Sequence, residues 1–380
     1  MSADPGQLVD AVRRYAVALD TQVLTGPGVC SGLGAWLLLA LAAGGGRATD
    51  ADLAELEQAL GLPADEAVEA LTRLLDDPHP AVSAAVARWA DEQSLTGDLA
   101  EWSVPERVED GPLPDQEGAD RWASERTDGL IERFPVEITE LTRLVLASAL
   151  ATRISWLSPL TELEDGGLGT EGGTARHTVI ETQAAGPVAV ITPRSTSGLA
   201  VLSVIADPQV PREQVLAAAH EIAARATGPL DGTEVTSDGH AWTLTEHREV
   251  RPSFREVVEE WTGWVPSWRL VSDHDLTGAP GFAAACAALE AFVLPAGRPA
   301  DYEVRQSAVA AYTATGFEAA AVTGMAVRAA GMPPEQEVLV RRIHVRMDRP
   351  HAVVAVALAD GSPWHGLPVF TAWVDPVGTR

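Results

Sequence analysis

The sequence predicts an α+β fold, because helical patterns dominate its first third and strand patterns dominate its C-terminal part. No regular alternation of strands and helices connects these regions, which argues against a parallel α/β sheet. The chain has 380 residues, 46% of them hydrophobic, so it is long enough and apolar enough to bury a sizeable core. No internal repeat is visible.

Helical spacing of apolar residues, with glycine at several ends, defines the predicted helices. Gly61 is expected to close one of them, and Asp50 is expected to cap its start. The predicted helices span residues 8–24, 29–43, 50–60, 64–75, 81–91, 120–133, 215–226, 254–264 and 283–292.

Apolar runs with strand character lie mainly in the second half of the chain. Residues 188–192 and 199–206 are expected to pair around a short turn, and the Gly- and Glu-rich residues 162–174 are expected to form a mobile loop. The predicted strands span residues 141–150, 188–192, 199–206, 242–245, 304–313, 338–347, 352–359 and 369–374.

The charge of the chain limits its partners. The net charge is −27, so phosphate backbones and anionic membranes would repel the protein. All 27 positions counted as lysine or arginine are arginine, which is typical of codon usage in a GC-rich bacterial genome. Activation by a heparin-like polyanion is not expected, although a local arginine cluster such as Arg341, Arg342 and Arg346 could bind an anion.

No motif in the sequence predicts catalysis, a metal or a cofactor. Cys30 and Cys286 lack CxxC spacing, and Cys30 is expected to be a buried small hydrophobe. The sequence contains no GxSxG elbow, no zincin motif and no phosphate-binding glycine loop. Trp261, Trp264 and Trp268 suit one helical face, for which core packing is favoured over a partner. We therefore expect a non-enzyme without metal or cofactor.

The N-terminal residues do not have the pattern of a secretory signal. The longest apolar run, residues 33–43, is too short to cross a bilayer. These observations predict a cytoplasmic location for the chain as given, and an extracellular one only if a leader had been removed.

Residues 314–334, ATGFEAAAVTGMAVRAAGMPP, are conformationally ambivalent. At period two, Phe317, Thr323, Met325 and other apolar or small residues share one face, whereas Glu318 and Arg328 fall on the other. Alanine nevertheless favours helix, and the glycines make the backbone permissive. A surface helix is one interpretation, and a segment that switches between an exposed loop and a buried strand is the other.

Several segments, in chain order, resemble the serpin family. Residues 142–160 resemble a buried central strand that runs to a tryptophan, here Trp156, and residues 304–323 resemble the strand leading into the reactive-centre loop. The hinge of that loop matches Gly316, Phe317, Glu318, Ala319, Ala320 and Ala321. Weaker similarity covers residues 28–62, 119–134, 197–207, 332–335, 348–350 and 367–376.

The resemblance implies a fold and a mechanism. The fold would be a single domain, residues 1–380, with three β-sheets, eight or nine helices and an exposed reactive-centre loop at about residues 314–334. A target protease, most simply a serine protease, would cleave the loop and form an acyl-enzyme. The cut loop would then insert into the main sheet and trap the protease. The inhibitor is expected to be a monomer.

Family spacing from Gly316 implies a scissile bond at Ala330–Gly331, which suits an elastase-like or subtilisin-like protease with a small specificity pocket. A trypsin-like cut at Arg328–Ala329 is the alternative.

Two departures from the family pattern support an alternative function, that of a non-inhibitory serpin-like binding or scaffold protein. Phe317 replaces a small residue, so its overpacking in the sheet is expected to cost about 1–3 kcal/mol and to slow insertion. On that account Phe317→Thr should speed inhibition. The polar cluster beneath the sheet opening is also altered: Ser31 matches the family, while Gly34, Ser148 and Gln306 replace a serine, an asparagine and a histidine.

Overall fold

The computed structural model of the protein describes residues 4–45, 48–91, 95, 102–196, 198–293, 302–317 and 334–376. Seven α-helices lie within these ranges. They are α1 (Pro5–Val23), α2 (Gly32–Ala43), α3 (Asp50–Leu60), α4 (Ala64–Asp76), α5 (Gln116–Arg126), α6 (Arg212–Arg225) and α7 (Phe282–Val293).

The same ranges contain eighteen strands. They are β1 (Gly28–Cys30), β2 (Val82–Ala90), β3 (Glu109–Pro112), β4 (Leu144–Thr152), β5 (Ile154–Ser155), β6 (Thr161–Glu162), β7 (Gly167–Glu171), β8 (Ala175–Thr182), β9 (Gly186–Pro193), β10 (Leu199–Ile205), β11 (Trp242–Pro252), β12 (Val257–Pro266), β13 (Trp268–Asp275), β14 (Arg305–Tyr312), β15 (Gly316–Phe317), β16 (Glu335–Arg346), β17 (His351–Ala357) and β18 (Pro368–Val374).

The strands form four sheets, and their orders confirm the α+β class. The orders are β1-β18-β17-β10-β9-β8, β11-β16-β12-β7-β6, β13-β14-β15-β5 and β3-β2-β4. The described residues thus contain seven helices and four sheets, where the resemblance implied eight or nine helices and three sheets. The predicted pairing of β9 with β10 is confirmed as antiparallel, with Ser203 opposite Ile191.

Side-chain and backbone caps explain where two early helices begin and end. Ser31 caps α2 by accepting a hydrogen bond from the Gly34 backbone N–H, so the predicted helix at 29–43 starts later and is preceded by β1. Thr49, not Asp50, caps α3. Gly61 ends α3 at a φ of 69°, a left-handed conformation that glycine adopts without steric cost.

Residues 81–91, predicted to be a helix, form strand β2 instead. This strand pairs with β3 on one side and β4 on the other. Its alanines favour helix locally, but the two ladders satisfy its backbone and bury Val86, Ala87 and Trp89. Tertiary pairing therefore overrides helix propensity.

The predicted helix at 254–264 is also a strand, β12, which is paired on both sides. It lies parallel to β16 and antiparallel to β7. Trp261, Trp264 and Trp268 consequently share no helix face. Trp264 and Trp268 are buried, in agreement with the favoured core role, although the element that carries them is different.

Part of the predicted mobile loop at 162–174 is strand β7. The glycines of this segment favoured the prediction of a loop, but at Gly167 the requirement for glycine is steric, because a Cβ atom there would lie 2.0 Å from Nε1 of Trp264. Only glycine lets this strand pass beneath the indole ring.

The residue contacts divide the chain into two compact units. One comprises Met1–Thr152, Leu270–Val309 and Val356–Ala372, and the other comprises Arg153–Arg269, Ala310–Ala355 and Trp373–Arg380. The first unit contains α1 to α5, α7 and strands β2 to β4. The second contains β5 to β12, α6, β15 and β16.

Candidate functional site

A cleft of about 1080 Å³ opens in the first unit between strands that have no partner on one edge. Strand β4 is the end strand of its sheet, and both β4 and the first residues of β14 line the cleft. Among the described residues, β14 meets β15 only where Tyr312 pairs with Phe317. Unpaired strand edges present backbone donors and acceptors that an added strand can satisfy. The cleft is therefore suited to receive an extended segment.

Successive side chains of β4 point to opposite faces of the sheet, so the two faces beside the cleft differ in character. Val145, Ala147 and Ala149 pack with the aromatic residues around α5. The neighbouring residue Ser148 points the other way, and its hydroxyl donates a hydrogen bond of 3.0 Å to the Gly34 carbonyl at the start of α2. A strand placed beside β4 would alternate in the same way.

The α5 wall is held by an aromatic cluster. The Trp89 and Trp122 rings lie 5.0 Å apart in an edge-to-face arrangement, and Phe134 lies 5.7 Å from Trp89. Trp122 also donates a hydrogen bond of 3.1 Å to Glu109 on β3. These contacts attach α5 to the β3-β2-β4 sheet beside the cleft.

The predicted polar cluster forms a closed network in the first unit. The Gln306 side chain accepts from Ser31 N and donates to Ser31 O, both at 2.9 Å. The Ser31 hydroxyl donates to the Val369 carbonyl at 2.7 Å and accepts from Gly34 N at 3.0 Å. Ser31, Ser148 and Gln306 therefore lie together, and each has a hydrogen-bond partner. Their departure from the family pattern has not left a polar group unsatisfied here.

Gly34 has a steric role in this network. A Cβ atom at that position would lie 3.2 Å from Cδ1 of Leu150 and 3.3 Å from Oγ of Ser31. The missing side chain leaves room for Ser148 to reach the Gly34 backbone. The altered residues are thus mutually compatible.

The hinge residues that the structure describes, Gly316 and Phe317, lie in the second unit as strand β15. This short strand sits between β14 and β5, with Phe317 opposite Tyr312 on one side and Ile154 on the other. The hinge is therefore already part of a sheet at these two residues. Glu318, Ala319, Ala320, Ala321, Arg328, Ala329, Ala330 and Gly331 lie outside the described residues, so their predicted roles remain predictions.

The Phe317 side chain is only 2% exposed and lies at the edge of a group of aromatic rings. Its ring meets Trp268 edge to face at 6.1 Å, and Trp268 stacks on Tyr312 at 6.0 Å. Tyr312 also contacts Trp156, with ring centroids 5.2 Å apart. Burial raises the pKa of the Tyr312 hydroxyl above its usual value.

Trp156, the tryptophan that the serpin resemblance singled out at the end of the buried strand, holds the residues just before the hinge. Its indole N–H donates to the Thr313 carbonyl at 3.0 Å, and its backbone N–H donates to the Thr315 carbonyl at the same distance. The sequence did not identify Trp268 or Tyr312 as members of the site. Placing residues 254–264 in a helix concealed that Trp268 begins a strand next to β14.

The arginines of the cluster proposed as an anion site form ion pairs with carboxylates of the protein. Arg341 pairs with Glu246 at 2.9 Å and with Glu259 at 3.2 Å, and Arg342 pairs with Glu260 at 2.8 Å. Arg346 lies over the Trp264 ring and contacts Asp348. These ion pairs stabilise the sheet around β16 and neutralise the positive charge, so the geometry gives no support to an anion site there.

Both cysteines are buried free thiols. The Cys30 thiol donates to Asp20 at 2.9 Å, and burial together with that carboxylate raises its pKa well above the usual value. Burial, with a smaller effect of Glu290, raises the pKa of Cys286 to about 12. Neither thiol is an activated nucleophile. Within the described ranges there is no group of His, Cys, Asp or Glu side chains that could hold a metal ion.

None of the helices in the described part of the chain is long and apolar enough to cross a membrane.

The architecture defines a serpin fold, and comparison with solved structures bears this out. The native state of the thermophilic serpin tengpin matches with a TM-score of 0.67 and 14% identity over 98% of this chain and 95% of that one. Human thyroxine-binding globulin matches with a TM-score of 0.66 and 12% identity over 97% of each chain. Serpin48 of the insect Tenebrio molitor, which is described as highly specific, matches with a TM-score of 0.59 and 16% identity over 97% of each chain.

No protein-family model and no curated protein sequence matches the chain significantly. The chain thus has the serpin fold, and it shares 14% sequence identity with tengpin and 12% with thyroxine-binding globulin.

Proposed function

We propose that the protein is a serpin-type protease inhibitor that acts as a suicide substrate. One observation carries the proposal: in the described part of the chain, the edges of β4 and β14 that face the cleft have no strand partner beyond the pairing at Tyr312, so they can accept a strand. The chain also connects this cleft to the loop, because β14 supplies Arg305, Gln306 and Ser307 to the cleft and Tyr312 to the hinge pairing.

The proposed reaction uses the chemistry of the protease. Its serine oxygen would bond to the carbonyl carbon of Ala330, the Ala330–Gly331 amide bond would break, and Gly331 would leave as a free amine after taking a proton. The new chain end would remain attached to the protease as an ester. Insertion of the preceding residues beside β4 would then compete with hydrolysis of that ester. The protein itself would act as inhibitor and not as enzyme, and it would do so as a monomer.

The target would be a serine protease with a small specificity pocket, as in elastase or subtilisin, because alanine precedes the proposed scissile bond. Cleavage at Arg328–Ala329 by a trypsin-like protease is the alternative. Two variants separate these sites: Arg328→Ala removes the trypsin site alone, and Ala330→Arg changes the residue before the proposed bond.

The test is to mix the protein with elastase, subtilisin and trypsin and to analyse each mixture by denaturing gel and intact mass. The proposal expects an SDS-stable adduct and a released C-terminal fragment that begins at Gly331, or at Ala329 for the alternative site. The Arg328→Ala variant should still form the adduct with elastase. The Ala330→Arg variant should form an adduct with trypsin and no longer with elastase.

A second candidate function is that of a non-inhibitory serpin-like binding protein. The observation in its favour is the likeness in fold to thyroxine-binding globulin, whose name describes a binding role. Cleavage in the loop by all three proteases without any adduct, and without a gain in heat stability, would support this candidate over inhibition.

A further inference from the structure

We propose that Phe317 is a positioning residue that holds the loop hinge in the sheet before any protease arrives, so that strand insertion starts at Glu318. This inference rests on the proposed function, and it deepens it by assigning the entry point of insertion to one side chain. It differs from the expectation for the sequence, in which Phe317 is an obstacle to insertion.

The backbone around the hinge is tied down at several points within the second unit. Thr313 N donates to Gly316 O at 2.9 Å, and the Thr313 hydroxyl donates to the same carbonyl at 3.0 Å. On the other side, Leu160 N donates to Ala314 O at 2.7 Å, and Trp156 N donates to Thr315 O at 3.0 Å. These bonds close residues 313–317 into a tight turn that returns the chain into the sheet.

The Phe317 side chain gives this turn its apolar anchor. It is as buried as the residues of the hydrophobic core, and its only described ring neighbour is Trp268, which in turn stacks on Tyr312. Gly316 and Phe317 are the described residues of β15, and of these two only Phe317 has a side chain that can be buried. A smaller residue would leave the two-residue strand without that anchor.

A hinge that already lies in the sheet lowers the barrier to insertion of the loop. Strand β15 already lies between β14 and β5, so these two strands do not have to separate after cleavage to admit the hinge. The Phe317 side chain is also buried before cleavage, so no overpacking remains to be overcome. Insertion then only has to extend an existing strand, which is faster than finding the entrance from a free loop. The expected acceleration by a smaller residue at 317 therefore reverses: such a variant should insert more slowly.

The first measurement needs no protease. Amide hydrogen exchange of the free protein should show residues 313–317 protected in the wild type. Phe317→Ala should raise their exchange rate about tenfold or more, and Phe317→Leu, which keeps an apolar side chain, should restore much of the protection. Rapid exchange of these residues in the wild type would overturn the docked hinge outright.

The second measurement is the stoichiometry of inhibition against elastase, paired with the association rate. Phe317→Ala should raise the number of inhibitor molecules consumed per protease about threefold or more, because hydrolysis wins more often when insertion is slow. The association rate should change little, since the cleavage site is untouched. Phe317→Leu should lie close to the wild type.

Phe370→Ala is the matched control, because Phe370 is similarly buried but lies in β18, in the part of that strand that belongs to the first unit. It should lower heat stability without changing the stoichiometry. An unchanged stoichiometry in Phe317→Ala, or an equal rise in Phe370→Ala, overturns the positioning role while inhibition itself stands. A wild type that is cleaved without any adduct overturns the proposed function, and the positioning role with it.

Discussion

The side chain of Gln306 and the backbone of Ser31 form a reciprocal pair of hydrogen bonds. Gln306 Oε1 accepts from Ser31 N and Gln306 Nε2 donates to Ser31 O, each at 2.9 Å. Only an amide can fill both roles, since a carboxylate has no donor and a neutral imidazole has its donor and acceptor on opposite sides of a ring. The pair joins the start of β14 to the residue that caps α2.

Gln306→Glu should therefore destabilise the protein at neutral pH by about 1–3 kcal/mol, because the Ser31 carbonyl loses its donor and faces a negative charge. Urea unfolding followed by circular dichroism measures the change. Gln22→Glu is the matched control: Gln22 Nε2 also donates to a carbonyl, that of Gly278 at 3.0 Å, but at an exposed site. A loss of stability no larger in Gln306→Glu than in the control would contradict this account.

Trp156→Phe should loosen the turn at residues 313–317. The substitution keeps an aromatic ring beside Tyr312 but removes the indole N–H that donates to Thr313 O. A lost hydrogen bond of this kind costs about 0.5–1.5 kcal/mol, which corresponds to local exchange roughly 2- to 13-fold faster. Amide exchange is the measurement, and Trp261→Phe, whose indole bonds to Glu259 at an exposed site, is the control. Equal exchange in both variants would refute the role of the indole.

Acid should destabilise the protein through its buried histidines. Burial lowers the pKa of His351 to about 4 and that of His177 to about 4, below the usual value of 6.5. The unfolded chain therefore binds protons that the folded chain rejects. The stability contributed by the neutral rings is complete above pH 6.5 and is lost as the pH falls towards 4, at up to ~1.4 kcal/mol per pH unit for each ring.

His351→Gln should accordingly reduce the fall in urea midpoint between pH 6.5 and pH 4, whatever it does to the midpoint at pH 7. His247→Gln provides the comparison, because that side chain is 38% exposed. If the His351 variant kept the full wild-type dependence on pH, the ring would not be the group that titrates.

The arginines of β16 should not bind polyanions. Arg341 is 13% exposed as a side chain and is surrounded by Glu234, Glu246 and Glu259. The protein should pass through a heparin column without retention at low salt, and heparin should not change its rate of association with elastase. Retention that is abolished by Arg341→Met would show that these carboxylates do not neutralise the cluster.

The sequence predicted the fold class and most elements, but it failed where one part of the chain decides the structure of another. Residues 81–91 are alanine-rich, and only the two flanking strands make them a strand. Gly167 signalled a loop, while its real constraint is the distant Trp264. Such contacts between residues far apart in sequence are invisible to local patterns.

The candidate site was predictable to a similar degree. Similarity to the serpin pattern identified Ser31, Ser148, Trp156 and Gln306, and the structure brings the first, second and fourth into one network. It did not reveal that Phe317 is already buried, because its ring neighbour Trp268 and its pairing partner Tyr312 lie on two different strands. A residue that departs from a family pattern is best judged with its neighbours in space.

The Trp89–Trp122 pair gives the protein an intrinsic spectroscopic probe. Two indoles whose centroids are 5.0 Å apart and whose planes are inclined at 86° are close enough for their electronic transitions to couple. Such coupling contributes a paired positive and negative band to the circular dichroism spectrum, with an amplitude that depends on distance and angle. Because Trp89 lies on β2 and Trp122 on α5, this signal reports the position of the helix relative to the sheet beside the cleft. Stopped-flow dichroism could therefore time a movement of α5 without any added label.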